Sequence, residues 1–222
     1  MKYSLLLAAA GLMMVQTAGA ATLGMKFISS YNTGTVQRDV GDGAGFITLN
    51  TGLLKFKVDP AGANYDYLTL CLEPRQFVNS NTQTYTIDPL EDGATNIGGM
   101  GTAKADLLRE LFGRYYPVLN TLKTDLIGGA LQIAVWEIVR ENSGTLDLKK
   151  GNTKFQNESV AGMMAQAQTY LNSLDGTGPM SSNLVALNHP LYQDVAFLTP
   201  EPGTYALLGS ALAALAVLRR RR

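Results

Sequence analysis

Two side chains of this sequence could react with each other: Cys71 and Gln132. Cys71 is the single cysteine of the chain and follows an apolar segment, Tyr67–Leu70, while Gln132 is the one long amide in the apolar run Leu131–Trp136. A cysteine thiolate is a nucleophile, and a side-chain amide is an acyl group that a nucleophile can attack. A buried amide without partners costs about 1–3 kcal/mol. We therefore expect Gln132 to be hydrogen-bonded to a partner or joined to one.

Two predicted elements position this pair. Cys71 lies at the end of a predicted strand, and helical spacing places Gly128, Gly129, Gln132 and Trp136 on one face of a predicted helix. The two glycines remove side-chain bulk, so another chain segment can approach Gln132 closely. Trp136 can wall the site against water. We therefore predict that Gly128, Gly129 and Trp136 form the wall of the site around Gln132.

This arrangement resembles the thioester domains of bacterial surface adhesins. The matching residues are Leu70-Cys71 and the hexapeptide Leu131–Trp136, in the same order along the chain. In that family, the thiol attacks the glutamine carbonyl, ammonia leaves, and an internal thioester remains until a target nucleophile meets it. The resemblance implies a Cys71–Gln132 thioester that joins the protein once to an amine or a hydroxyl on a protein or a surface polysaccharide. Such a group acylates once and does not turn over, so we predict no enzyme.

The amide carbonyl needs donors that polarise it before a thiol can attack. Four hydroxyl side chains near the two predicted elements could serve, and the sequence does not choose among them: Tyr67, Thr69, Tyr115 and Tyr116. The alternative hypothesis is a structural matrix protein in which Cys71 and Gln132 only pack together. A lone cysteine at a strand end is commonly a small buried apolar residue.

The amino terminus predicts export. Lys2 precedes the apolar run Leu5–Val15, and Ala18–Ala20 provides small residues at a cleavage position. This is the pattern of a secretory signal peptide, here residues 1–20, and the apolar run is too short to span a bilayer.

The carboxyl terminus predicts sorting. After a Pro-Glu-Pro motif comes the apolar run Tyr205–Leu218, and the chain ends in four arginines that favour a cytoplasmic end. The segment 199–222 resembles the PEP-CTERM sorting tail of Gram-negative bacteria. That resemblance implies recognition by a membrane-embedded exosortase, a short transmembrane segment, and localisation at the cell surface or in an extracellular matrix, with membrane anchoring before processing. The motif residues are Pro200, Glu201 and Pro202, and the basic cluster is Arg219, Arg220, Arg221 and Arg222.

Composition excludes several functions. Apart from Lys2 and the four terminal arginines, 13 basic residues face 18 acidic ones, so the body is a poor ligand for nucleic acid. One cysteine and one histidine cannot build a Cys/His zinc site, and we expect no metal site and no cofactor. A hydrolase would have to rely on His189, which precedes a proline in a loop-like segment. Glu137 and Glu141 are most simply a solvated helix face.

The body, residues 21–198, is predicted to be α+β, an antiparallel β sandwich or barrel with an inserted helical block. Short alternating strands separated by Gly, Asn, Asp and Pro precede Gly101, and the apolar period then becomes helical. The predicted strands are 46–49, 53–58, 65–72, 83–87 and 194–198. The predicted helices are one that ends near Pro117, a second from a cap at Asp125 to about Asn142, and a third over 155–174.

Overall fold

The computed structural model describes residues 21–39, 45–58, 65–122 and 124–199. In this part of the chain there are seven strands and three α-helices. The strands are β1 (Thr22–Asp39), β2 (Ile47–Val58), β3 (Tyr65–Cys71), β4 (Gln83–Asp88), β5 (Lys154–Gln156), β6 (Leu184–Asn188) and β7 (Val195–Leu198). The helices are α1 (Thr102–Leu122), α2 (Asp125–Arg140) and α3 (Met163–Asn172). The predicted α+β class, with antiparallel strands and a block of helices, is confirmed.

The strands form one antiparallel sheet that closes on itself. Its order is β2-β3-β7-β6-β4-β1-β5, and β1 also pairs with β2, so six of these strands form a ring of pairings. The long strand β1 makes closure possible, because its first residues pair with β4 while the rest pairs with β2 and then β5. Of the two architectures predicted, this pairing corresponds to the barrel.

Apolar side chains fill both faces of this sheet. One cluster draws on five strands of the ring and fills its interior, with members Met25, Phe56, Val58, Tyr85, Leu187, Val195 and Phe197. A larger cluster joins the sheet to the helices and contains Cys71 and Trp136. Helix α2 lies at its centre, because every residue from Gly128 to Val139 is buried. Cys71 and Gln132, the pair predicted to react, therefore lie in the core between sheet and helix.

The N-cap of helix α2 lies one residue before the predicted cap, Asp125. The hydroxyl of Thr124 accepts a hydrogen bond from the backbone N–H of Ile127 at 3.3 Å, so Thr124 is the N-cap and Asp125 is the first helical residue. Asp125 in the first turn and Arg140 in the last complement the helix dipole.

Two helix predictions were wrong in their bounds. Helix α1 does not end near Pro117 but continues to Leu122, with buried Phe112 and Leu119 on either side of the proline. This packing offsets the cost of an interior proline, about 3 kcal/mol. Helix α3 begins only at Met163, because Gly162 adopts a left-handed backbone with φ of 84°.

The start of the predicted third helix is a strand instead. Residues Lys154–Gln156 pair with the end of β1, and Phe155 is buried there. The two predicted strands over 46–49 and 53–58 are one strand, β2, which bends at Gly52. The sequence analysis did not identify β1 or β6, since neither has a clear alternation of apolar and polar residues.

The predicted signal peptide and most of the predicted sorting tail lie outside the described residues. Among the residues that are described, no helix has the length and apolar character needed to cross a bilayer.

Candidate functional site

Cys71 ends strand β3 and is buried beneath helix α2. It pairs with Val195 of β7, and its side chain is 2% exposed. The adjoining pairs in the sheet fix its backbone, since Leu70 lies opposite Ala196 and the N–H of Leu72 donates to the carbonyl of Asp194 at 2.9 Å. The thiol is thus held at a defined place between the sheet and the helix.

The side chain of Gln132 holds the main chain of Cys71. Its Oε1 accepts a hydrogen bond from the backbone N–H of Cys71 at 2.9 Å, and its Nε2 donates to the backbone carbonyl of Cys71 at 2.8 Å. The two residues are 61 positions apart, and their predicted proximity matches this geometry. The amide acts as a short extra strand that satisfies both polar groups of one residue, as burial requires. The polar contacts of Gln132 with Cys71 are to its backbone.

Two other side chains contact the sulfur. The indole N–H of Trp136, one helical turn after Gln132, donates to Sγ of Cys71 at 3.4 Å. The side-chain amide nitrogen of Gln193 also contacts Sγ and donates to the backbone carbonyl of Glu73 at 3.2 Å. Gln193 is 8% exposed.

The sequence analysis did not identify Gln193. This residue lies two positions before the first residue of β7, and its backbone N–H donates to the carbonyl of Phe77 at 3.3 Å. Its neighbour Asp194 is also anchored, because the Asp194 N–H donates to Oε1 of Gln76 at 3.3 Å. The only available indication was a glutamine beside a predicted strand, and nothing in the sequence says that this strand pairs with the strand of Cys71.

The two glycines of the predicted wall face other parts of the core. A Cβ at Gly128 would meet Asn32 and Leu53, and a Cβ at Gly129 would meet Met163 and Thr51. The absence of side chains there lets α2 lie directly on the β1–β2 ribbon and on α3. The glycines thus determine how closely α2, the helix that carries Gln132 and Trp136, packs against β1, β2 and α3.

Three of the four hydroxyls predicted as possible donors to the amide bind elsewhere. Thr69 donates to the carbonyl of Leu54, Tyr115 to Ser173, and Tyr116 to the carbonyl of Leu68. The donors at the sulfur are Trp136 and Gln193 instead.

Burial controls the electrostatics of the thiol. Desolvation raises the pKa of Cys71 to about 12, against the opposing effects of the Trp136 hydrogen bond and of the nearby cation Arg38. Cys71 is therefore protonated at neutral pH, and a reaction at its sulfur depends on contact with the electrophile more than on a standing thiolate.

Ionisable groups surround the site inside the core. Glu73 is fully buried, and desolvation raises its pKa, with a further contribution from the adjacent Asp194 carboxylate. Glu137 is fully buried and desolvation raises its pKa to about 8, so the prediction of a solvated helix face was wrong. Arg38 is 1% exposed, and burial lowers its pKa to about 9. Glu141, 4% exposed, accepts backbone hydrogen bonds from Ser143 and Thr153.

Among the described residues there is no cluster of three or more His, Cys, Asp or Glu side chains that could hold a metal ion. Two carboxylates near the site, Glu73 and Asp194, accept hydrogen bonds from backbone N–H groups. Asp194, for example, accepts hydrogen bonds from the N–H and hydroxyl of Thr95 and from the N–H of His189.

One comparison with known proteins gives a match. Residues 198–222 match the family model of the PEP-CTERM protein-sorting motif, which includes the predicted Pro200, Glu201 and Pro202 and the terminal arginines. The prediction of a sorting tail is confirmed: this is an exported protein that exosortase sorts to the cell surface. No curated protein and no solved structure matches the chain.

Proposed function

We propose that the body of this exported, exosortase-sorted protein forms an internal thioester between Cys71 and Gln193 and uses it once, for covalent attachment to a target. The observation that carries the proposal is the contact between the amide nitrogen of Gln193 and Sγ of Cys71. Thioester formation replaces that nitrogen by that sulfur, so the two atoms that exchange places on the acyl carbon are already neighbours. Holding the reacting groups together in this way removes a large part of the free-energy barrier to acyl transfer.

The reaction balances without a cofactor. Sγ of Cys71 attacks the side-chain carbonyl carbon of Gln193, the C–N bond breaks, and the thiol proton leaves on the departing nitrogen as ammonia. The indole N–H of Trp136 donates to the sulfur and stabilises the negative charge that the sulfur carries as its proton leaves, before the attack. The product acylates one target molecule and then returns a free Cys71 thiol, which makes the protein a single-use reagent and not an enzyme.

Gln132 suits a positioning role better than the role of acyl group that the sequence suggested. Joining Gln132 to Cys71 would break the two hydrogen bonds that Gln132 makes with the Cys71 backbone. Each buried polar group left unpaired costs about 1–3 kcal/mol. A Cys71–Gln193 bond keeps both hydrogen bonds.

The second candidate is a structural surface or matrix protein without a thioester. The observation in its favour is that Cys71 is 2% exposed and that burial raises its pKa, as for a packing residue. The two candidates differ in whether Sγ of Cys71 is bonded to the side-chain carbonyl carbon of Gln193.

Intact mass spectrometry separates them. The full chain is produced in an exporting host, and its mass is measured before and after incubation with methylamine, beside Cys71→Ala. The thioester predicts a protein that is lighter than its sequence by one ammonia and that gains one methylamine, with neither property in Cys71→Ala. A full mass with no methylamine gain, and a Cys71 that alkylates after denaturation, would establish the structural alternative.

A further inference from the structure

A cavity of about 210 Å³ leads to the proposed reactive pair. Its lining includes Cys71, Gln193, Gln132 and Trp136, together with Ser30 of β1 and residues of β2 and of the segment after β3. This volume corresponds to roughly seven water molecules at about 30 Å³ each, so it admits one small substituent of a larger target. A single sugar ring and a lysine side chain both fall in this range, and size alone does not choose between them.

Charge does choose. Among the described residues that line the cavity, none is acidic or basic, and the polar groups are hydroxyls and amides. A lysine ammonium entering such a site would lose its water without gaining a carboxylate, which is unfavourable. Sugar hydroxyls both donate and accept hydrogen bonds, as do the hydroxyl and amide groups of Ser30, Thr48, Asn50 and Gln76.

An exposed aromatic ring also lines the cavity. Phe77 belongs to its lining and is 82% exposed, the largest fraction among the exposed large apolar side chains described. The carbonyl of Phe77 accepts the backbone N–H of Gln193, so the ring is tied to the loop that carries the proposed acyl group. A flat, exposed ring beside neutral polar groups suits packing against the C–H face of a sugar. Because Phe77 is so exposed, its ring contributes little to the packing of the protein core.

We infer that this cavity binds one residue of a neutral polysaccharide and that a sugar hydroxyl is the nucleophile that opens the thioester. The inference rests on the proposed function and names its target class. The sugar oxygen attacks the acyl carbon of Gln193, an ester bond forms, the carbon–sulfur bond breaks, and the hydroxyl proton passes to the sulfur of Cys71.

The departing sulfur suits this transfer. Because burial raises the pKa of Cys71 to about 12, the sulfur that leaves the acyl carbon is basic enough to take up the hydroxyl proton.

The test offers the full chain three probes at equal concentration: methylamine, Nα-acetyl-lysine, and a mixture of maltotriose and cellotriose. Intact mass then counts the adducts. We expect methylamine adduct as the sign of the thioester, oligosaccharide adducts that mild base releases as it releases esters, and far less Nα-acetyl-lysine adduct than oligosaccharide adduct. Addition of methylamine and Nα-acetyl-lysine without oligosaccharide would overturn this inference and leave the thioester in place. Failure of methylamine to add would overturn both.

Two variants sharpen the result. Phe77→Ala should lower the ratio of oligosaccharide to methylamine adduct several-fold, because only the sugar uses the ring. Asn50→Asp places a carboxylate among the exposed lining residues and should raise the ratio of Nα-acetyl-lysine to oligosaccharide adduct about fivefold. Asn172→Asp makes the same charge change on an exposed residue at the end of α3, outside this lining. An equal shift in the ratio for Asn172→Asp and Asn50→Asp would contradict the inference.

Discussion

Helix α2 and the loop before β7 both bring a glutamine to Cys71, and the two glutamines meet different atoms. Gln132 binds the backbone N–H and carbonyl of Cys71, whereas Gln193 contacts the sulfur. Both glutamines line the same cavity. On the helix side, Gln132 is 1% exposed and belongs to a helix that is buried from Gly128 to Val139, whereas on the loop side Gln193 is 8% exposed. Two identical side chains thus make different contacts: the first binds the backbone at the strand end, and the second contacts the sulfur with which we propose that it reacts.

The largest difference between the two sides should appear in methylamine capture. We expect Gln193→Ala to abolish capture, as Cys71→Ala does, because no acyl group remains beside the sulfur. Gln132→Ala should still capture methylamine in the fraction of molecules that folds. Intact mass after methylamine treatment measures both. Complete loss in folded Gln132→Ala, with capture retained in Gln193→Ala, would reverse the assignment of the two glutamines.

Stability should show the opposite order. Gln132→Ala leaves the N–H and the carbonyl of Cys71 without their partner, and at about 1–3 kcal/mol for each group the free energy of unfolding should fall by roughly 2–5 kcal/mol. Gln193→Ala should cost less, since Gln193 is 8% exposed and has one oxygen acceptor, the Glu73 carbonyl. Urea unfolding, measured in the Cys71→Ala background so that no thioester contributes, gives both values. A larger loss for Gln193→Ala would contradict the positioning role of Gln132.

The loop side should also contribute a pH dependence. Burial and the neighbouring Asp194 raise the pKa of Glu73, so the folded state holds a proton that the unfolded state has released. Between the ordinary glutamate pKa and the raised value, stability therefore falls as pH rises, and it levels off above the raised value.

Glu73→Gln should reduce this slope and leave the part that Glu137, whose pKa burial raises to about 8, contributes. The new amide can donate to Asp194 as the protonated carboxyl does, and its oxygen can accept the N–H of Asn96. We expect the variant to be more stable than the parent at pH 8 and close to it at pH 5, again by urea unfolding. An unchanged pH slope in Glu73→Gln would show that another group titrates.

The smallest effect is expected on the helix side. Trp136→Phe keeps most of the buried ring and removes the N–H donor to sulfur, so the unfolding free energy should fall by about 1 kcal/mol. Methylamine capture should persist but be slower. If capture disappears while the fold is intact by circular dichroism, the indole N–H is essential to the chemistry and not an auxiliary donor.

The helix side of the site could be predicted from the sequence, and the loop side could not. A polar residue in an apolar helical run must find a partner in the core, so Gln132 drew attention, and Trp136 one turn later shared its face. Gln193 precedes a strand of four residues, and its importance depends on the pairing of β7 with β3. That pairing joins segments far apart in the chain, which no local periodicity reports.

The same distinction applies to the fold. The strands with clear alternation and the central helix were predicted nearly to their ends. Closure of the sheet was not, because it depends on β1, whose polar residues hide the period of two while its pairings with β2, β4 and β5 hold it in place. Burial of Glu137 also depends on tertiary packing, since α2 is covered on all sides.

The most direct test of the account locates the acyl group. The full chain is treated with isotopically labelled methylamine and digested, and the labelled peptide is sequenced by tandem mass spectrometry. We predict that the label lies on the side chain of Gln193 and that Cys71 becomes free to alkylate. Label on Gln132 would contradict the assignment of the two glutamines, and absence of any label would contradict the thioester itself.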